Sequence, residues 1–126
     1  MRPYKAKKKG TDIWLYGWYT YDDRTDTHFL YVYDKDNNVS HKYIIDPSTV
    51  CQQIGLPDNE GNEIYDKQIM ESIQYTFAVI WNNEESIYEL HRNNGTALAD
   101  ARDMELNRCE SIGNTIDNPD FFGSKE

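Results

Sequence analysis

Along this chain apolar and aromatic residues gather in short β-type runs separated by clusters of Asp, Asn and Gly. Period two places alternate side chains on opposite faces of a strand. The run over residues 13–21 is apolar on parts of both faces, and Gly17 inside it marks a bulge or a close backbone approach. Residues 28–33 form the next strand and 42–45 return, with polar turns over 22–27 and 34–38 closing a three-stranded meander. Farther on, 64–70 and 73–81 are strand-like, the latter with Ile73, Tyr75, Phe77 and Val79 on one face. The polar turn at 82–85 folds residues 87–91 back as a hairpin.

Three further segments complete the outline. Gly55-Leu56-Pro57-Asp58 and Asn59-Glu60-Gly61-Asn62 hold the residues that turns require and predict a hairpin or strand-loop-strand corner. Residues 97–107, with Thr96 as N-cap, contain helix formers and predict one short helix, a strand being the alternative at the same place. Asn118-Pro119 predicts a helical turn that Phe121 and Phe122 anchor. The expected fold is mainly β, an antiparallel meander plus a small SH3-like barrel-type sheet, becoming α+β if the helix is longer. No internal repeat or linker interrupts the single domain expected over 1–126.

Composition sharpens this picture. The 10 Tyr, 4 Phe and 3 Trp among 126 residues give each buried side chain a large area and favour sheet. The net charge of −9 hides an asymmetry: the first ten residues hold Arg2, Lys5, Lys7, Lys8 and Lys9 without an acid, leaving 8 basic against 22 acidic side chains elsewhere. An acidic body repels nucleic acid, whereas Lys5, Lys7, Lys8 and Lys9 form a basic arm that is a candidate phosphate contact or a solvated guard. No run approaches a membrane span, and the start of the chain leads into lysines, so a cytoplasmic location is expected. Cys51 and Cys109 are expected as reduced structural thiols.

No catalytic pattern stands out among the residues that could carry one. His28, His41 and His91 lie apart, without a ligand spacing that suits zinc. The segment from Asp34 starts like a calcium loop but has Val39 and Ile45 where that loop needs Gly and Glu. Asp22, Asp23 and Asp26, beside His28, offer at most a weak cation site. No phosphate loop or nucleophile elbow occurs, so neither cofactor nor metal is expected. Trp14, Tyr16, Trp18, Tyr19, Tyr21, Tyr31 and Tyr33 resemble a stacking platform, but such platforms work beside positive charge, and packing or a protein interface explains them better in an acidic body.

The segment from Thr49 to Ile69 resembles the signature of the YopX family of phage and prophage proteins, through Gly55, Leu56, Asp58, Gly61, Ile64 and Tyr65. The resemblance extends to Met1-Arg2-Pro3 with Trp14-Leu15-Tyr16-Gly17, to residues 45–50, and to Ile112, Gly113 and Asn114 with Asn118-Pro119. Asp66-Lys67-Gln68 departs from the family's Glu-Gly-Asp, whose Gly suits a tight turn, and Gln53-Ile54 stands for its Tyr-Thr. The resemblance brings no catalytic residues. It implies a phage accessory protein, expected here to bind a host protein without catalysis through Asp22, Asp23, Asp26, Glu84 and Glu85. A basic nucleic-acid-handling enzyme, blocked by mimicry of its substrate, is the sharper form. Direct nucleic-acid binding through the arm and a cryptic metal-dependent enzyme are the alternatives.

Overall fold

A computed structural model of the chain describes residues 3–123. It is mainly β, built from antiparallel open sheets, with no helix of seven residues or more. The chain divides into two compact units, Met1–Gln53 and Ile54–Glu126.

The first unit contains β1 (Tyr4–Lys7), β2 (Trp14–Asp22), β3 (Thr27–Asp34) and β4 (Val39–Ile44), and the beginning of β5 (Cys51–Pro57). Its strand order is β4-β3-β2-β1-β5. The expected meander is β2–β3–β4, with Trp18 opposite Tyr31 and Tyr31 opposite Lys42. Ala6, Leu30 and Ile45 form the core, against which Tyr4, Leu15, Tyr19, Val32 and Val50 pack. At Gly17, β2 passes from pairing with β1 to pairing with β3, and an added Cβ would collide with the Tyr31 carbonyl oxygen. Only glycine permits that approach.

Within the segment expected to be an arm, residues 4–8 are instead part of the sheet. Tyr4–Lys7 is an interior strand, flanked by β2 and β5, and Lys8 continues it in a bridge to Ile45. The hydrophobic pattern conceals this because Lys5 is buried, its ammonium 4.6 Å from the Trp14 ring centre and its stem covering apolar surface. Met1 and Arg2 lie outside the described residues.

The second unit contains the end of β5, β6 (Glu63–Tyr65), β7 (Gln68–Glu71), β8 (Thr76–Asn82), β9 (Ile87–His91), β10 (Ala97–Asp100) and β11 (Glu110–Asn114). β5 and β6 form the hairpin expected around residue 60, and the remaining strands order as β10-β9-β8-β7-β11. Ile54, Ile64, Met70, Phe77, Val79, Leu90, Ala101, Leu106 and Cys109 make its core. The sheet does not close into the expected barrel: β10 has four residues, and the chain leaves it through two 3-10 turns, Ala101–Asp103 and Leu106–Arg108, before β11 joins the opposite edge.

Three local expectations change. Residues 97–107 form a strand and two 3-10 turns instead of a helix, because the Asn94-Gly95 turn returns the chain alongside β9, with Gly95 at φ +84°. Strand pairing and the packing of Leu98 and Ala99 override a weak helical preference. Ile73 is fully exposed, since the Ser72 hydroxyl accepts from the Tyr75 amide at 3.0 Å and the chain turns there, so β8 starts only at Thr76. The segment 118–122 is a succession of turns, and Phe121 packs edge-on against Phe122, whose ring stays exposed.

The two cysteines are buried, and neither forms a disulfide. No helix is long and apolar enough to cross a membrane among the described residues.

Candidate functional site

The hairpins β2–β3, β3–β4 and β8–β9 close by one device. Each loop begins at an Asx residue preceded by an aromatic and ends four residues later in the left-handed region: Asp22 to Asp26 (φ 50°), Asp34 to Asn38 (φ 53°) and Asn82 to Ser86 (φ 55°). The Asx Oδ1 accepts from the amide two residues on, at Arg24 (3.0 Å), Asp36 (3.1 Å) and Glu84 (3.0 Å). The preceding ring reaches over the loop: Tyr21 Oη donates to Asp26 and Tyr33 Oη to Asn38, both at 2.7 Å, and Trp81 Nε1 donates to Asn83 at 3.4 Å. The sequence signal is aromatic-Asx-x-x-x, too short to register as a repeat. These bonds fix the loop backbones, so side chains at the tips project from rigid supports.

Charge divides between the two units. Residues 1–53 carry 8 Lys and Arg against 7 Asp and Glu, whereas residues 54–126 carry 5 against 15. Within the acidic unit, the β8–β9 tip combines charge with an aromatic anchor. The Glu84 and Glu85 amides both donate to Asn82 Oδ1, and neither carboxylate makes a salt bridge among the described residues. Trp81 is exposed and packs edge-on to Tyr88, ring centres 4.8 Å apart. Asp66 accepts from the Trp81 amide at 3.3 Å, and burial raises its pKa against the opposing charge of Lys67.

The other candidates belong to the first unit. Asp22 caps its own loop and lies 3.6 Å from the Arg24 guanidinium, Asp26 accepts from Tyr21, and Asp23 alone has no partner among the described residues. His28 is bonded to Tyr19 Oη at 2.6 Å, His41 lies 3.6 Å from Asp34, and His91 lies 3.2 Å from Glu89. Among the described residues no three His, Cys, Asp or Glu gather to hold a metal ion. Of the lysines, Lys7 meets Asp12 at 3.3 Å, Lys8 lies 5.5 Å from the Tyr43 ring centre, and the Lys9 amide donates to the Ile44 carbonyl. The strand therefore holds these lysines on a sheet.

The loop between β5 and β6 is organised by Asp58, whose carboxylate is nearly buried. Its Oδ1 accepts from the Glu60 and Asn62 amides, both at 2.9 Å, and its Oδ2 from the Ser111 hydroxyl at 2.7 Å. Gly61 turns the chain at φ +81°. Ser111 in turn accepts from Gln68 Nε2 at 2.6 Å, and Gln68 Oε1 accepts from the Tyr65 amide. Burial disfavours the Asp58 charge, but Ser111 and the two amides outweigh it and lower the pKa. The profile of the YopX protein family matches residues 4–122. The chain belongs to the YopX family. A search of curated proteins returns no match.

The YopX signature residues are thus structural. Leu56 and Ile64 pack in the second core, Asp58 and Gly61 build the loop, and Gly55 kinks β5 at φ +86°. Gly113 lies against Asn118, whose Oδ1 would be 2.5 Å from an added Cβ, and Asn114 Oδ1 accepts from the Ile116 and Asp117 amides. The departure at Asp66-Lys67-Gln68 keeps the turn: Lys67 occupies the left-handed region at φ +69°, where the family has Gly, and Gln68 joins the Asp58–Ser111 network. In the other departure, Ile54 is a core residue.

Proposed function

We propose that this YopX chain is a non-enzymatic accessory protein of phage or prophage origin. It acts in the bacterial cytoplasm by binding a basic host protein. The observation that supports this reading is the β8–β9 tip, where Glu84 and Glu85 stand on a braced loop beside exposed Trp81 in a unit with 5 basic and 15 acidic side chains. Charge of one sign steers a partner of the other, and a fixed aromatic supplies buried area on contact. A nucleic-acid-handling enzyme is the preferred kind of partner, since carboxylates then occupy a groove that ordinarily takes phosphates.

Asp22, Asp23 and Asp26 contribute less in this reading, because two of the three are engaged by their own loop. Affinity capture from bacterial lysate at about 50 mM salt, where surface electrostatics are strong, is the test. A basic protein retained by the wild type and lost with Trp81→Ala is the expected result. Retention of the same proteins by both chains would remove the hairpin from the account.

A further inference from the structure

The exposed face of the β2–β3–β4 meander carries a row that the acidic second unit does not explain. Trp18 on β2 stands opposite Tyr31 on β3, and Tyr31 opposite Lys42 on β4, so two rings and an ammonium line up across three adjacent strands. Trp18 is 44% exposed, Tyr31 37% and Tyr33, two residues along β3, 56%. Among the described residues the rings of Trp18 and Tyr31 have neither a hydrogen bond nor a ring contact, unlike Tyr19, which stacks on His28 on the opposite face. Lys42 makes no salt bridge there and lies 4.0 Å from the Phe29 ring centre.

We infer that this row is a stacking surface for single-stranded nucleic acid. Unpaired bases offer π-faces that exposed aromatic rings receive without regard to sequence, and a cation at the end of the row meets the phosphate that follows. Overall acidity argues against nucleic acid only if charge is evenly spread. It is not: the first unit has 8 basic and 7 acidic side chains, and Asp22, on the same face, is paired with Arg24. Lys5 is buried and Lys7 meets Asp12, so Lys42 is the cation that this row presents. Duplexes keep their bases stacked inside and offer the rings nothing.

The test is fluorescence anisotropy of labelled oligo-dT, oligo-rU and a duplex of equal length, titrated with the intact chain at about 50 mM salt, where phosphate contacts are strong. Binding to either single strand, and weaker binding to the duplex, is expected. A preference for dT or rU then identifies the source as DNA or RNA. Trp18→Ala and Tyr31→Ala should each weaken binding roughly 5- to 150-fold. Lys42→Glu should weaken it and flatten its salt dependence, whereas Phe122→Ala in the second unit should leave it unchanged. Circular dichroism of each variant confirms the fold. No binding to either strand, equal binding to the duplex, or unaltered binding by folded Trp18→Ala and Tyr31→Ala would overturn the inference. So would loss, on Trp18→Ala, of a captured protein by a chain that binds neither oligonucleotide, which would assign the row to a protein partner.

Discussion

The Ser111 hydroxyl donates to the Asp58 carboxylate at 2.7 Å, joining the β5–β6 loop to β11 across 53 residues of chain. The bond completes a carboxylate that already accepts two amides, so Asp58 holds its own loop and fastens it to the far edge of the sheet. Asp58→Ala should lower stability by about 2 kcal/mol or more, the cost of leaving buried donors unpaired, measured by denaturant titration. Ser111→Ala should cost less, because the two amide bonds survive.

Asp58 also predicts an acid response. Its folded pKa lies below the unfolded value of about 3.9, so the unfolded chain binds more protons in that region. Its stabilising contribution is present above the unfolded pKa and is lost as pH falls through the folded one. Acid titration followed by circular dichroism should show this loss in the wild type, with a shallower stability profile below about pH 4 in Asp58→Ala.

Gly17→Ala should be the most damaging small substitution in the first unit, since its methyl group meets the Tyr31 carbonyl, a backbone atom that cannot rotate away. A loss of about 3 kcal/mol is expected. Gly10→Ala has space around the new methyl group, so its cost comes from positive φ alone and should be smaller, near 1 kcal/mol.

Two substitutions in the Asp66-Lys67 turn are expected to stabilise the protein. Lys67→Gly relieves a left-handed residue and should raise stability by up to about 1 kcal/mol, even though glycine loosens the unfolded chain. Asp66→Asn should also stabilise at pH 7, because burial disfavours the charged carboxylate while the amide oxygen still accepts from Trp81. For a group with a raised pKa the cost is present above the folded pKa and fades as pH falls through it. The gain from Asp66→Asn should therefore vanish in acid, as thermal melts across pH would show.

What the sequence revealed and what it hid follow from how local each cause is. The β2–β3, β3–β4 and β8–β9 hairpins were legible because the Asx and left-handed residues that close them lie within five positions. The interior place of β1 was not, because its lysines read as a solvated tail until Trp14 and two flanking strands cover them. Residues 97–107 misled through alanine and leucine, whose helical preference yields to the pairing that the Asn94-Gly95 turn imposes. Glu84 and Glu85 were visible as charges. Their setting was not, since the change in charge falls near residue 53, where the units divide, and not only after residue 10.

The central claim, that the acidic hairpin engages a basic partner, is tested most directly by quantitative capture with wild-type chain and with Glu84→Lys/Glu85→Lys at about 50 and 300 mM salt. The account predicts a partner retained by the wild type at low salt, weakened at high salt and lost on charge reversal, with the fold of the variant intact. Equal recovery by a folded charge-reversed chain at both salt concentrations would contradict it.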